Sequence, residues 1–170
     1  GTPTPTPAPT PTPTPAPTPT PVPTPTPTTP AAFDTAEYRR STGPSYHNVI
    51  PAWQLGATGR GVTIGVVDTG IDTANTEFAG RISAASADVA GNRGINAEDD
   101  HGTLVALVAA AARNNSGITG IAYEASIMAL RADSPGSCAS ADGCEFFDSA
   151  ITVGVDRAVQ NGAKVINLSL

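Results

Sequence analysis

Positive charge is scarce in this sequence. Nine Lys and Arg stand against fifteen Asp and Glu, a net charge of −6 with both histidines neutral. A nucleic-acid binder needs the reverse, a concentration of cations that neutralises phosphates. Long apolar runs are missing too: no stretch approaches the roughly 20 residues that cross a bilayer, and no basic-then-apolar targeting segment opens the chain. Cysteine occurs only at positions 138 and 144 and histidine only at 47 and 101. Structural zinc takes four suitable ligands, and these residues have no convincing spacing for it, so no metal site is assigned.

What the chain does have begins with proline. Residues 1–30 contain 14 Pro and 12 Thr, with Pro at nearly every odd position, which holds the backbone near polyproline II and removes donors for helix or sheet. The segment reads as a semi-rigid linker with a reach of about 3.1 Å per residue. Pro/Thr alternation also suits dense O-glycosylation of an extracellular stalk. Because the chain opens inside a repeat, the expectation is an internal piece of a larger precursor. The remainder suffices for one modest domain.

Residues 31–60 mix small apolar and aromatic groups without sustained periodicity and read as an N-terminal surface segment. They end in a short helix expected at Pro51–Leu55 and a glycine turn at Gly56–Gly61. Trp53 is expected to be a packing anchor and His47 structural or solvent-facing. From Gly61 the pattern becomes α/β. GVTIGVVD is a β-branched run suited to a strand buried on both faces. HGTLVALVAA supplies a helix whose apolar stripe is expected at Leu104, Leu107, Val108 and Ala111. ASIMALRA reads as a second strand, DSAITVGVDRAVQNG as a helix closed by Gly162, and AKVINLSL as a further strand. Two strand–helix–strand passages imply a mainly parallel sheet with flanking helices, preceded by the Pro/Thr-rich tail. The last strand arrives only at the final residue, so residues 61–170 are expected to be the N-terminal portion of a truncated domain.

Chemistry starts where the first strand ends. Asp68 in VVDTG stands at a strand's C-terminal edge, where open α/β sheets place ligands. Gly70 permits the turn that leaves the carboxylate accessible, and Thr69 can fix the loop through a side-chain hydrogen bond. DTG also marks aspartic proteases, but these need two such loops sharing a proton in an all-β setting, and only one occurs here. His101 follows Asp99 and Asp100 and opens a helix. A carboxylate that orients a histidine base is the supporting half of a serine-hydrolase triad, and Asp68 with His101 fits that description. GRGVTIG is no dinucleotide fingerprint, because its glycines precede the strand; an oxidoreductase is disfavoured.

The ordered set VTIGVVDTGID, DDHGTLVALVAA, GITGIAYEASIMALRA and AKVINLSL resembles the subtilisin-like serine proteases over roughly Gly61–Leu170. The resemblance implies that Asp68 orients the base and that His101 is the general base. It also implies that Asn167, Leu168, Ser169 and Leu170 form the backbone wall along which a polypeptide substrate pairs in extended form. Ser169 matches a serine of that wall and is not the nucleophile; no G-x-S-x-G elbow occurs. Leu104 and Leu107 stand where the family commonly has histidine and glycine. Nothing matches the family's oxyanion-hole asparagine or its GTS-type serine segment, so the chain alone is expected to be inactive. The alternative is a noncatalytic, secreted protease-like binding or spacer fragment.

The EYRRS region, the approach to Asp68 and the cysteine loop also resemble passenger proteases of bacterial autotransporters. That implies a secreted or surface-displayed bacterial protein with a membrane barrel further along its precursor. Cys138 and Cys144, in the turn-rich SPGSCASADGC, could close a small disulfide suited to export, or stand as two free thiols. No cofactor is required. Family members often bind calcium after the catalytic histidine, and Asn114, with Glu77 as a weaker match, makes that ion possible here. Asn114 and Asn167 also fit the N-glycosylation triplet.

Overall fold

The computed structural model describes residues 29–170, so the Pro/Thr segment lies outside the described residues apart from Thr29 and Pro30. Pro30 opens a 3-10 turn to Ala32, and three five-residue helices follow: α1 (Ala36–Arg40), α2 (Thr42–Tyr46) and α3 (Ile50–Gln54). The Thr35 hydroxyl oxygen accepts the Tyr38 N–H at 3.1 Å, satisfying one orphan donor of α1. Pro51 sits in the first turn of α3, where its missing N–H costs nothing. Trp53 is 2% exposed and packs edge-on against Tyr38 and Tyr123, while its indole N–H donates to the Ile121 carbonyl at 2.8 Å. That bond satisfies its only polar atom.

Four parallel strands form one sheet: β1 (Thr63–Asp68), β2 (Ala87–Asp88), β3 (Ser126–Arg131) and β4 (Val165–Leu168), in the order β2-β3-β1-β4. Strand alternation sends Ile64, Val66, Ile127 and Ala129 to one face, against Ala106 and Ala110 of α4 (His101–Ala110). Val67, Met128 and Leu130 face the other way, against Ala150 and Ala158 of α5 (Asp148–Gln160). The fold is therefore α/β, with central strands covered on both sides, as their near-continuous apolar runs require. Gly162 follows α5 at φ 80°, a left-handed stop that side chains rarely adopt. The final strand is shorter than its apolar run: β4 ends at Leu168, and Ser169 and Leu170 lie past it.

The buried face of α4 corrects the sequence expectation. Leu104 and Val108 are 57% and 53% exposed, and the helix instead buries Gly102, Thr103, Ala106 and Ala110; Ala111 is buried just past its end. At its first turn the helix approaches the Asp68 turn too closely for any side chain, although Val105 and Leu107 further along pack against the core. A Cβ added at Gly102 would stand 2.3 Å from the Gly70 carbonyl oxygen and 3.1 Å from the Asp68 Cβ. Because α4 is apolar nearly all round, periodicity alone could not choose the face.

Candidate active site

Strand β1 delivers Asp68 and the first residue of α4 is His101, so the two meet at the C-terminal edge of the sheet. Asp68 is fully buried, and its Oδ1 accepts from His101 Nδ1 at 2.8 Å and from the Thr69 N–H at 2.7 Å. Its Oδ2 is buried with no hydrogen-bond partner among the described residues. An ionised carboxylate can only accept, so this contact requires the proton on Nδ1; in the neutral ring Nε2 then carries the lone pair. The His101 side chain is half exposed, open to a reacting group.

The turn between the two residues is tied by Thr69. Its hydroxyl donates to the Asp99 carbonyl at 3.0 Å and accepts the Gly102 N–H at 3.0 Å. Asp99 Oδ1 accepts the His101 N–H at 2.9 Å, satisfying a donor at the helix start. Gly70 has φ 100°, and a Cβ there would lie 2.6 Å from the Ile95 carbonyl oxygen, so only glycine lets the chain turn off β1 beneath that loop.

A cavity of about 240 Å³ opens beside the pair, lined by Thr69, Asp99, His101, Cys144, Phe146, Ser169 and Leu170. A second, of about 420 Å³, includes His101, Leu104, Val108, Ile121, Asn167 and Ser169. Asn167, Ser169 and Leu170 thus lie at His101, and the Asn167 Nδ2 donates to Ser169 Oγ at 2.9 Å. Leu168 pairs with Val67 in the sheet, is exposed, and lines neither cavity. Cys138 and Cys144 form a disulfide with Cα atoms 4.0 Å apart. Its loop is closed at the base by the Ser134 N–H donating to Glu145 O at 2.8 Å and by an antiparallel bridge between Asp133 and Phe146. Cys144 and Phe146 reach the cavity wall in this way, and the sequence held no signal for Phe146 because its role depends on the return path of this loop.

A buried ionic cluster with no local sequence signature lies at the C-terminal ends of β2 and β3. Arg93 pairs with Asp88 and with Asp133, each at 2.8 Å. Burial pushes the Asp88 carboxyl up, but hydrogen bonds from the Arg93 guanidinium and from the Arg93 and Ala90 amides outweigh it and hold the group at about 2.

The residues that the family resemblance points to for calcium lie together near the end of α4. The structure does bring Glu77 and Asn114 together, through Asn114 Nδ2 donating to Glu77 Oε2 at 3.1 Å, and it adds Glu37 of α1, which the sequence reading missed. Burial, with the neighbouring Glu37 charge, holds Glu77 above the usual carboxylate range. Glu37 accepts the Asn114 and Asn115 N–H groups at 3.0 and 3.1 Å. Calcium wants six to eight oxygens converging on one point. Here the carboxylates are committed to N–H donors, and among the described residues no group of three or more His, Cys, Asp or Glu could hold a metal ion. These side chains alone do not make a calcium site.

The pattern that defines the subtilase family, peptidase S8, matches residues 59–170. Thermitase of Thermoactinomyces vulgaris is 37% identical over 133 residues, covering 77% of this chain and 44% of that protein. An extracellular serine protease of Serratia marcescens is 32% identical over 145 residues, 82% of this chain and 12% of that protein. Among solved structures, the MycP3 protease of a type VII (ESX-3) secretion system aligns with a TM-score of 0.59 at 29% identity, over 76% of this chain and 36% of the other. Fervidolysin of Fervidobacterium pennivorans, described as a keratinolytic enzyme related to subtilisin, aligns with 0.56 at 30% identity, over 71% and 18%. The chain spans less than half the length of each of these relatives.

Proposed function

The chain belongs to the subtilase family, and from that premise we propose that it is the Asp/His-bearing portion of a secreted or cell-surface bacterial serine endopeptidase. The observation that carries the reading is the 2.8 Å contact between buried Asp68 and half-exposed His101. In this reading residues 1–30 are a linker, 31–60 an N-terminal segment and 61–170 the first part of the catalytic domain. The relatives' lengths leave room for the rest. The passenger-protease resemblance adds a finer proposal, an autotransporter with a downstream membrane barrel. No helix among the described residues is long and apolar enough to cross a membrane, which bears on helices alone.

The chemistry follows from the geometry. A serine supplied by a segment beyond this chain attacks the substrate carbonyl while His101 Nε2 accepts its proton, then returns it to the leaving amine. Asp68 holds Nδ1–H in place and stabilises the positive ring; water then hydrolyses the acyl-enzyme. The polypeptide lies extended along Asn167–Leu170, with Ser169 and Leu170 at the cavity beside His101.

Fluorophosphonate labelling of the full-length polypeptide tests this. Label on a serine beyond residue 170 is expected. Asp68→Ala is expected to lower peptide turnover by about 10⁴-fold and His101→Ala by about 10⁶-fold, while secretion and fold persist. A folded, unblocked protein that takes no label would shift the assignment to a noncatalytic binding fragment.

A further inference from the structure

We infer that Arg131 is a positioning residue for His101, acting through the loop at residues 95–100; this rests on the peptidase reading above. Arg131 ends β3 directly opposite Asp68 in register and is 2% exposed. A guanidinium in such a place needs a reason, because desolvating a charge is costly unless each N–H finds an acceptor. Two of its contacts go to Asp133, from Nε to Oδ1 at 2.9 Å and from NH2 to Oδ2 at 3.2 Å. The others leave the strand and take hold of the loop: NH1 donates to the Asn96 carbonyl at 2.7 Å, and NH2 pairs with Glu98 Oε1 at 2.8 Å. Asp133 is itself fixed by Arg93, so the clamp is anchored at its far end.

The gripped loop is the one that sets the base. Asp99, next to Glu98, offers its carbonyl to Thr69 and its carboxylate to the His101 N–H. From the other side the turn after Asp68 holds the same loop, through the Ile71 N–H to Ile95 O at 2.8 Å and the Thr73 hydroxyl to Asn96 Oδ1 at 2.7 Å. Residues 95–100 are therefore pinched between Arg131 and the Asp68 turn, and His101 leaves that pinch as the first residue of α4. Only a planar fork reaches Asp133, the Asn96 carbonyl and Glu98 together; a lysine ammonium is a point charge and cannot. Arg131 touches no reacting atom, so its loss changes where His101 stands rather than what binds.

The test uses the full-length polypeptide, with fluorophosphonate labelling to count active sites and kcat expressed per labelled site. For Arg131→Lys, kcat per site is expected to fall about tenfold, the scale of a sub-ångström misplacement, with KM within about twofold of the parent. For Glu98→Gln, whose side chain is half exposed and removable without opening the core, a fall of about threefold is expected, again in kcat. A kcat per site within twofold of the parent in both variants overturns the inference. So does a loss of turnover fully accounted for by fewer labelled sites, since that marks a structural role. A parent that does not label overturns the peptidase reading and this inference with it, whereas a labelled parent with unaffected variants removes this inference alone.

Discussion

At Gly102 one hydrogen atom decides whether the dyad can form. The α-carbon lies against the Gly70 carbonyl and the Asp68 side chain, and the clashing partner is backbone that cannot swing aside. Gly102→Ala is expected to cost about 1–3 kcal/mol through overpacking and to push α4 off the sheet, lengthening the contact from His101 to Asp68. Differential scanning calorimetry and the rate of fluorophosphonate labelling would read the two effects; an alanine variant with parental values for both would remove the close-approach argument. Asp68 and His101 were legible in the sequence because each ends or begins a local pattern, a β-branched run closing on DTG and an acidic pair preceding HGT. Arg131 and Glu37 were not. Their partners lie 35 and 77 residues away, and no local pattern encodes a contact that only the folded chain creates.

Elements repeat that lesson at larger scale. Strands β1 and β3 and helix α5 follow their sequence patterns because a buried strand and a capped helix each announce themselves within about ten residues. Strand β2 has two residues, too few to show any period. Of the expected α4 stripe Leu107 and Ala111 turn inward but Leu104 and Val108 do not, because small residues mark most of a face that must approach closely. The disulfide loop between β3 and α5 is the element whose removal separates positioning from binding. It brings Cys144 and Phe146 to the cavity wall beside His101, and its Cys138 Sγ lies 3.6 Å from Asp133 Oδ2, so it also adjoins the anchor of the Arg131 clamp. The double variant Cys138→Ser, Cys144→Ser is expected to lose about 2 kcal/mol of stability. In peptide turnover the larger change is expected in KM, with a smaller one in kcat per labelled site because Cys138 adjoins Asp133. A fall in kcat with KM unchanged would mean that the loop acts on His101 instead of on the cavity wall.

For the molecule as a whole, the acid limb of stability is set by the carboxylates whose values the fold moves. The Asp88 carboxyl moves from an ordinary 3.8 to about 2 in the fold. A group whose folded value is depressed contributes stability that is complete above its unfolded value and is lost as pH falls through the folded one. The window is therefore pH 4 to 2. Glu77 has the opposite sign: its value is raised by burial and by Glu37, so its ionised form opposes folding and acidification relieves it, beginning at higher pH. Acid should first leave stability level or slightly higher, then reduce it steeply as the Asp88 and Arg93 pair breaks at the β2 edge. Asp88→Asn is expected to lower the melting temperature at pH 7 by several degrees and to flatten the decline between pH 4 and 2. Denaturant unfolding at a series of pH values would measure both slopes. An unaltered decline in Asp88→Asn would place the acid lability in other carboxylates and leave this cluster a bystander to the stability of the sheet edge that carries the dyad.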